Sequence, residues 1–557
     1  MTASLAKICQ AADLQADDHT PVVIVGGGAC GLTAALALHR LGVDCVVLER
    51  DAFAAGSTAL SSGFIPAPCT QVQQAQGISD SVEAFAADIQ AKAHGQAAPH
   101  LVQAYAQNIG PAMDALAQHH GLPWQVLDNF LYPGHSAHRM HAVPEKTGAG
   151  LMSRLQAAAD AAGVVVLTQA QVTELWADDA QRIHGVGFVR PDGQTERIRC
   201  DAVLLACNGF GGATAMVKDL LPDMAEATYA GHVGNDGSAI AWGQQLGARL
   251  ADLGAYQGHG SWAIPQGALI SWALMMEGGV QINALGQRFH DETQGYSEAA
   301  VHVLAQPGGV AWNVFDDALL AFAQGFPDFV AAQSAGAVQH AADVNALAQL
   351  IGCPAEALHA TLNAVQPGTD SVTGRSFQRA LQAPFHAIKV TGALFHTQGG
   401  LDIDAQTRVL RQDGTPLPNV LAAGGAARTG AREAHHFAGG RRQALHLGAL
   451  LLPLPLHHAR QAVNHHIEEG SDAQAHHQRD PGENRRRGHL GERLVHRPCS
   501  CLFREAVTRP RMCVFRRRSR GYGTPGLVAG RACAGAHPGC IGFLPPGPGL
   551  PTPPGQV

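Results

Sequence analysis

The sequence predicts an α/β fold built on a parallel sheet, and three features near its beginning support this. Two apolar runs, Val22–Val25 and Cys45–Leu48, have the continuous hydrophobic character of strands that are buried on both faces of a sheet. Between them, Leu32–Leu41 carries apolar residues at helical spacing. A turn with the pattern G-x-G-x-x-G, at Gly26–Gly31, joins the first run to this helix. A strand, such a turn, a helix and a second strand together predict a Rossmann-like domain.

The glycine-rich turn matches the needs of a dinucleotide pyrophosphate. Gly26 permits a tight turn, Gly28 lets the backbone approach a phosphate, and Gly31 allows close packing of the helix on the strand. The N-terminus of the helix that follows offers free N–H groups and a partial positive charge. Glu49 follows the second strand, 18 residues beyond Gly31, where a carboxylate can accept from ribose hydroxyls. We therefore predict a dinucleotide site here.

Composition and charge exclude several classes of protein. With 46% hydrophobic and 15% charged residues, the chain suits a well-buried globular protein. A formal charge of −7 gives no reason to expect nucleic acid as a partner. The sequence has no apolar run long enough to span a membrane. Residues 1–20 lack the apolar core of a signal peptide, so we predict a short leader and a cytoplasmic protein. Cysteine spacing predicts neither attached haem nor a metal site.

Residues 453–557 differ from the rest of the chain. They contain 15 arginines, no lysine and seven acidic residues, a net charge of +8. Hydrophobic periodicity stops there, which predicts a disordered C-terminal tail. A basic tail could also bind nucleic acid or an acidic surface. A third interpretation is a shift of reading frame between about Thr429 and Pro453, because GC-rich DNA read in the wrong frame yields sequence rich in Arg, Pro, Gly, Cys and His and free of lysine.

Several further segments resemble the fumarate reductase/succinate dehydrogenase flavoprotein family, which includes the 3-ketosteroid Δ1-dehydrogenases. The resemblance covers roughly Pro21 to Gly430. It is carried by "STALSSG" (57–63), "AQVTEL" (170–175), "DAVLLACNGFGG" (201–212), "GNDGSAIAWGQQLGA" (234–248) and "NVLAAGGAARTG" (419–430).

The resemblance implies FAD as the cofactor. Membrane-bound members of the family attach FAD through a histidine in the loop after the second strand, and "GSTALSSG" has none, so non-covalent FAD is expected. Gly425 stands where the family usually has an acidic residue. Together with the glycine-rich turn, the resemblance predicts that FAD is bound by Gly26, Gly28, Ala29, Gly31, Glu49, Arg50, Ser57, Thr58, Ser62, Gly63, Val172, Asn208, Gly209, Asp236, Gly424 and Gly425.

The family's FAD-binding domain is interrupted by an α+β cap domain that closes over the substrate. By this resemblance we expect a leader at 1–20, an FAD-binding domain in two parts at 21–244 and 371–452, and a cap at 245–370. The basic, Pro/Gly/Cys-rich tail at 453–557 would follow.

Two histidines and two glycines match segments that contact substrate in the family. "YQGHGSWAIP" resembles Q-x-H-P-T, which puts His259 at a substrate carboxylate or carbonyl. "LFHTQGGLDID" resembles H-H-T-x-G-G, which puts His396 beside the same substrate and lets Gly399 and Gly400 approach its ring. The alternative for each histidine is a structural role, which 30 histidines in the chain make a serious one.

Tyr296 is the candidate proton carrier. "NALGQRFHDE" resembles N-x-x-G-x-R-F-x-x-E, and Tyr296 lies four residues beyond Glu292. Fumarate reductases carry their proton-donating arginine there, whereas ketosteroid dehydrogenases carry a tyrosine. By the same count, the Glu and Arg of the fumarate reductase proton path would fall near Trp272 and Met275, and both are missing here. A tyrosine can take a carbonyl-acidified proton, and the alternative is a ring that packs in the cap wall.

Arg428 and Arg432 are further candidates, because arginines can clamp a substrate acid in bidentate fashion.

The sequence therefore predicts an FAD-dependent oxidoreductase that acts on CH–CH groups. Hydride would pass between flavin N5 and a carbon β to a carbonyl or carboxyl of a small molecule, with an electron partner that the sequence does not reveal. One alternative is an inactive flavin-fold product with a frameshifted C-terminus. Another is an NAD(P)-dependent dehydrogenase, against which the flavin-side loops argue.

Overall fold

The computed structural model describes residues 6–128, 131–132, 134–370 and 373–428, and every structural statement below concerns these residues. They all belong to one compact unit of the chain. Arg432, the tail at 453–557 and the region of the suspected frameshift lie outside the described residues.

The described residues form β-strands and α-helices, which alternate along the chain between His19 and Ala75. The strands are β1 (Lys7–Gln10), β2 (His19–Val25), β3 (Cys45–Leu48), β4 (Ile65–Pro66), β5 (Gln125–Val126), β6 (Met140–Ala142), β7 (Val165–Leu167), β8 (Gln171–Ala177), β9 (Ile183–Val189), β10 (Thr195–Leu205), β11 (Thr228–Tyr229), β12 (Leu250–Ala251), β13 (Tyr256–Ala263), β14 (Ala268–Leu269), β15 (Val280–Ile282), β16 (Val310–Asp316), β17 (Gln339–Ala341), β18 (Gly368–Thr369), β19 (Ser376–Phe377), β20 (Phe385–Thr397), β21 (Gly400–Leu401), β22 (Arg408–Leu410) and β23 (Pro416–Ala422). The helices are α1 (Ala29–Arg40), α2 (Gly56–Ala59), α3 (Gln71–Ala75), α4 (Val82–Lys92), α5 (Pro99–His120), α6 (Gly148–Ala161), α7 (Thr214–Leu220), α8 (Ser238–Gln245), α9 (Ala273–Met276), α10 (Tyr296–Leu304), α11 (Asp317–Ala323), α12 (Pro327–Ser334), α13 (Val344–Ile351) and α14 (Ala355–Ala364).

The first sheet has a parallel centre. Strand β2 pairs in parallel with β3 on one side and with β10 on the other. Strand β7 extends the sheet beyond β3, and β23 pairs in parallel with the end of β10. The antiparallel strands β8 and β9 continue the sheet beyond β10 and end at β1. The predicted α/β fold with a Rossmann-like strand–turn–helix–strand unit is confirmed.

Strand β2 is buried on both faces of this sheet, as its unbroken apolar run predicts. Val22 and Ile24 belong to one hydrophobic cluster, which includes residues of α1, α5 and α6. Val23 and Val25 belong to a second cluster, on the opposite face, which includes residues of α8 and β9. Successive side chains of a strand point to opposite faces, so a strand covered on both sides needs apolar residues throughout.

A second sheet is organised around the long strand β20. Antiparallel β13 and β16 flank β20, β14 extends β13, and β15 extends β16. Helix α10 packs against both β13 and β20. This sheet draws on segments from both sides of the expected cap limits at 245 and 370, since β11 precedes the first limit and β20 follows the second. The domain limits remain predictions.

In the part of the chain that the structure describes, no helix is both long enough and apolar enough to cross a membrane. Within the same residues, no group of three or more His, Cys, Asp or Glu side chains is arranged to hold a metal ion.

Candidate functional site

A cleft opens where three parallel strands of the first sheet end. Val25 at the end of β2, Leu48 at the end of β3 and Ala206 just after β10 all line it. The cleft and its open mouth together contain about 1090 Å³ of space that no protein atom occupies. Ligands of open α/β sheets bind at the carboxyl ends of the strands, so the cleft lies where the predicted dinucleotide site should be.

The glycine-rich turn forms the floor of this cleft. Gly26 has φ of +108°, and a Cβ there would come within 2.6 Å of the Ala206 carbonyl oxygen. A Cβ at Gly31 would overlap the carbonyl oxygen of Gly26, so α1 packs against the turn only with glycine at this position. A Cβ at Gly28 would meet no atom within 4 Å, because Gly28 faces the open cleft. The space beside Gly28, at the N-terminus of α1, fits a phosphate.

Glu49 lines the cleft immediately after β3 and is buried. Its Oε2 accepts a hydrogen bond from the Gly27 amide at 2.7 Å, and its Oε1 accepts from the Asp51 amide at 2.9 Å. Burial raises the pKa of Glu49 above its usual range, although the two amide hydrogen bonds act in the opposite direction. The Glu49 carboxylate therefore holds the glycine-rich turn in place through the Gly27 amide, and it also borders the cleft.

Two loops are joined at the cleft by charged groups. Arg50 Nη1 donates to the Gly234 carbonyl oxygen at 2.9 Å and lies 3.1 Å from an Asp236 carboxylate oxygen. His232 Nε2 lies 2.8 Å from an Asp51 carboxylate oxygen. The loop after β3 is thereby attached to the loop before α8, and four of these residues line the cleft: Arg50, His232, Gly234 and Asp236.

Ser57 is the meeting point of two asparagines. Asn208 Nδ2 donates to Ser57 Oγ at 3.1 Å, and Asn235 Nδ2 donates to the same oxygen at 2.9 Å. Asn208 has φ of +67°, a left-handed conformation that asparagine tolerates better than most residues. Its Oδ1 accepts from the Gly209 amide at 2.8 Å, which stabilises that conformation. All three side chains border the cleft.

The structure brings most of the predicted cofactor residues together. Those that line the cleft are Gly26, Gly28, Ala29, Glu49, Arg50, Ser57, Thr58, Val172, Asn208, Asp236, Gly424 and Gly425. Gly31, Ser62, Gly63 and Gly209 do not. Gly63 has φ of +67°, and its backbone lies against Thr147, while Gly209 lies against the Thr397 side chain. Ser61 takes the place expected of Ser62 at the cleft.

Sequence reasoning missed other residues of the lining. Asn235 and Trp242 stand inside a segment that was singled out for Asp236, and Gln171 adjoins Val172. His232 and Cys207 also border the cleft. Asn235, Trp242 and Gln171 could have been predicted from the sequence, because each lies in or beside a segment that resembles the family. His232 carries no local signal, since its contact with Asp51 joins two segments that are distant in the sequence.

Of the three predicted catalytic residues, His259 and His396 lie on adjacent strands of the second sheet, and Tyr296 begins α10, which packs against it. His396 lines the cleft and faces Gln257 across the β13–β20 pair. Gln257 Nε2 donates to the Tyr296 hydroxyl oxygen at 2.9 Å. The ring of Tyr296 stacks on that of His259, with ring centres 4.8 Å apart and an angle of 19° between their planes. Gln257, which no prediction included, is the residue that links them.

His259 is a buried, uncharged ring. Burial lowers its pKa to about 3, so the imidazole is neutral at physiological pH. Its Nδ1 accepts from the Ser261 amide at 3.0 Å, which leaves the ring proton on Nε2. Phe395 stacks on it with ring centres 5.4 Å apart. His259 can therefore donate a hydrogen bond but cannot supply a positive charge.

The remaining predicted substrate residues have structural contacts. A Cβ at Gly399 would overlap the Asp252 carbonyl oxygen, and one at Gly400 would lie 2.6 Å from the Ala426 carbonyl oxygen. Arg428 is ion-paired with Asp252 at 2.7 Å and with Asp402 at 3.2 Å.

Gly399, Gly400 and Arg428 do not line the cleft. Their role toward substrate remains a prediction.

Comparison with known proteins agrees with this geometry. The fold and the cleft define a dinucleotide-binding protein of the Rossmann class. The chain belongs to the FAD binding domain family, whose profile matches residues 21–441. Its cofactor is therefore FAD, as predicted, and non-covalent attachment remains a prediction.

Two curated relatives and one solved structure extend the comparison. The chain is 29% identical over 412 residues to an NADH:fumarate oxidoreductase of Klebsiella pneumoniae (strain 342), covering 72% of this chain and 44% of that protein. It is 25% identical over 507 residues to a 4-oxocyclohexanecarboxylate 2-dehydrogenase of Sinomonas cyclohexanicum, covering 73% of this chain and 87% of that protein. The open conformation of a flavocytochrome c3 fumarate reductase matches with a TM-score of 0.70 and 25% identity, over 81% of this chain and 80% of that one.

These comparisons confirm the predicted family. They give no support to the alternative of an inactive, frameshifted product. The chain spans less than half the length of the Klebsiella relative, so its own activity is treated below as a proposal.

Replacing Glu49 with alanine is expected to weaken FAD binding at least tenfold. The change removes the acceptor that fixes the Gly27 amide, and it removes a predicted ribose contact, each worth about 1 kcal/mol. Titration of apoprotein with FAD, followed by quenching of flavin fluorescence, would measure the dissociation constant. Glu49→Gln keeps one acceptor oxygen and should cause a smaller loss. Equal affinity in Glu49→Ala and the wild type would contradict the assignment.

Proposed function

We propose that this protein is an FAD-dependent oxidoreductase that interconverts a C–C and a C=C bond beside the carbonyl group of a small ketone. The observation that carries the proposal is the Tyr296 hydroxyl, which is held by Gln257 and stacked on an uncharged histidine. His396, which lies opposite Gln257 in the β13–β20 pair, lines the cleft. A phenol in such a position can exchange a proton with the carbon next to a carbonyl.

Each residue of the group has a distinct task in the proposed reaction. FAD, when bound, supplies the acceptor or donor of hydride at flavin N5. Tyr296 Oη takes the α proton during oxidation or returns it during reduction. The Gln257 N–H stabilises negative charge on that oxygen and orients it. His259 Nε2–H and His396 would donate hydrogen bonds to a substrate oxygen on which enolate charge develops.

The distribution of charge favours a ketone over a dicarboxylate. Two carboxylates on a substrate call for cations, usually arginines. Among the described residues around the second sheet, Arg288 and Arg375 are both paired with the buried carboxylate of Glu292. Trp272 and Met275, at the two expected proton-path positions, are buried and cannot carry protons as Glu and Arg would.

The Sinomonas relative supports the same choice. Its name describes the dehydrogenation of a cyclic ketone that carries one carboxylate. A substrate of this type would suit a site in which a tyrosine removes a ketone-acidified proton. Fumarate, which the Klebsiella relative's name specifies, is the second candidate, and His396 is the residue that favours it. The cytoplasmic location also remains a proposal, and the electron partner is unidentified.

Anaerobic half-reactions distinguish the two candidates. FAD-loaded protein in the oxidised form would be mixed with 4-oxocyclohexanecarboxylate, with a 3-ketosteroid and with succinate, and the photoreduced form with fumarate. We expect a ketone to bleach the flavin absorbance faster than succinate does. Reoxidation by fumarate without bleaching by either ketone would overturn the proposal in favour of the second candidate. No response in any mixture, with FAD bound, would reject both substrates.

A further inference from the structure

The hydroxyl group of Ser57 accepts two hydrogen bonds inside the protein. Asn208 Nδ2 donates to Ser57 Oγ at 3.1 Å, and Asn235 Nδ2 donates to the same oxygen at 2.9 Å. Within the described part of the chain, the Ser57 hydroxyl makes no hydrogen bond as a donor. A serine oxygen has two lone pairs and one proton, so both lone pairs are occupied and the proton is left for another partner.

The orientation of each asparagine amide is fixed by a second contact. Asn208 Oδ1 accepts from the backbone N–H of the next residue at 2.8 Å, so its Nδ2 faces Ser57. Asn235 Nδ2 also donates to the Tyr229 hydroxyl oxygen at 2.6 Å. The proton of that bond comes from Asn235, because the Tyr229 hydroxyl donates its own proton to the His232 carbonyl oxygen at 3.1 Å. Both groups that face Ser57 Oγ are therefore donors.

Ser57 lies at the edge of the cofactor cleft. It is partly exposed and lines the cleft together with both asparagines. The residue before it, Gly56, approaches the glycine-rich turn, since a Cβ on Gly56 would lie 3.8 Å from Gly28 Cα. The space beside Gly28 is the part of the cleft that fits a phosphate. A phosphate oxygen accepts hydrogen bonds strongly, so it matches a hydroxyl group that can only donate.

We propose that Asn208 and Asn235 orient the Ser57 hydroxyl so that it donates a hydrogen bond to a pyrophosphate oxygen of bound FAD. The two asparagines are then positioning residues, which act on the cofactor through Ser57. This inference rests on FAD as the cofactor and is independent of the substrate proposed above.

Ser57→Ala removes the donor. In the full-length protein freed of FAD, its dissociation constant for FAD should rise about ten- to a hundredfold, the usual effect of one lost hydrogen bond to a charged group. Affinity for ADP, which has the pyrophosphate, should fall by the same factor, while affinity for riboflavin, which has no phosphate, should not change. Ser57→Thr keeps a hydroxyl group and should retain most of the wild-type affinity. Equal FAD affinity in Ser57→Ala and the wild type would overturn the proposal, and so would a loss as large for riboflavin as for ADP.

A double-mutant cycle tests whether the asparagines act through Ser57. Asn235→Ala removes one donor, and Asn208→Gly removes the other, since glycine adopts the left-handed backbone of this position, with φ of +67°, without strain. Each change frees a lone pair of Ser57 Oγ, so the hydroxyl can turn away from the cleft, and the dissociation constant for FAD should rise about two- to fivefold. In the Ser57→Ala background, neither change should raise it further. Losses that add to that of Ser57→Ala would overturn the positioning role.

Asn419→Ala is the matched control. Asn419 is also buried and donates through Nδ2 to the Ile183 carbonyl oxygen at 2.6 Å, but it does not line the cleft. The control should lower the melting temperature of the apoprotein and leave the affinities for FAD and ADP unchanged. A loss of FAD affinity as large as that of Asn235→Ala would attribute both losses to a loosened fold and overturn the positioning role. Melting of each apoprotein variant shows that it is folded, and the cycle can be closed with either asparagine if the other variant does not fold.

Discussion

Tyr296→Phe is expected to lower the rate of flavin reduction by a ketone by about 10²- to 10⁴-fold, the usual contribution of a positioned acid–base group. The substitution removes one oxygen atom. The phenyl ring can still stack on His259, so the wall of the site should stay in place. FAD affinity should be unchanged, because Tyr296 does not line the cleft described for the cofactor. A selective loss of rate would separate a proton carrier from a ring that only fills space.

Stopped-flow mixing of oxidised protein with excess ketone, followed at the flavin band, measures this rate directly. Tyr105→Phe is a matched control, since it also removes a buried phenol oxygen, one that donates to the Pro66 carbonyl oxygen at 3.1 Å. The control should lose some stability and keep its rate. A Tyr296→Phe variant that reduces its flavin as fast as the wild type would leave Tyr296 as a packing residue, which is the alternative that the sequence leaves open.

The features that the sequence predicts well are local. Strand β3 coincides with its apolar run at Cys45–Leu48, and β2 and α1 coincide with theirs to within a few residues. The G-x-G-x-x-G turn also depends only on its own glycines and on the strand and helix beside it. Each of these elements is defined by periodicity or by backbone conformation within a few residues, and such information is present in a single sequence.

Contacts between segments that are distant in the chain cannot be predicted from local sequence patterns. Gln257 stands in a quoted segment, but its partner Tyr296 is brought to it by the packing of α10 against β13. A sequence does not distinguish a glycine that makes room for a ligand from one that makes room for another part of the chain. Gly399 is of the second kind, because its Cα lies against the Asp252 backbone.

The second large effect concerns Glu292, four residues before Tyr296. Its carboxylate is fully buried and lies 2.6 Å from Arg288 and 2.8 Å from Arg375. The backbone N–H of Gln281 also donates to Glu292 Oε1 at 3.0 Å. The ion pair of Arg288 and Glu292 is therefore one part of a larger buried network, which joins β15 to the turn that leads into α10.

Glu292→Ala should destabilise the protein by about 3–5 kcal/mol at neutral pH, because it leaves two arginines buried without their shared carboxylate. Chemical denaturation monitored by tryptophan fluorescence would measure the loss. Glu145→Ala is the control: this residue pairs with Arg154 at the surface, and its removal should leave stability nearly unchanged. A comparably small effect at Glu292 would show that the network relaxes around the missing charge.

The same network predicts how this contribution depends on pH. Burial alone would raise the pKa of Glu292, but the hydrogen bond and charge of Arg288 and the charge of Arg375 outweigh it, so the pKa lies below the ordinary value of 4.5. A carboxyl whose pKa is lower in the folded than in the unfolded state stabilises the fold above the unfolded pKa and loses this effect as the pH falls through the folded one. The stability difference between wild type and Glu292→Ala should therefore be constant near neutrality and should shrink below about pH 4.5. A difference that stays constant into acid would mean that the network acts by packing, not by charge. Because Glu292 begins the short turn before Tyr296, the variant should also slow flavin reduction at temperatures where it remains folded.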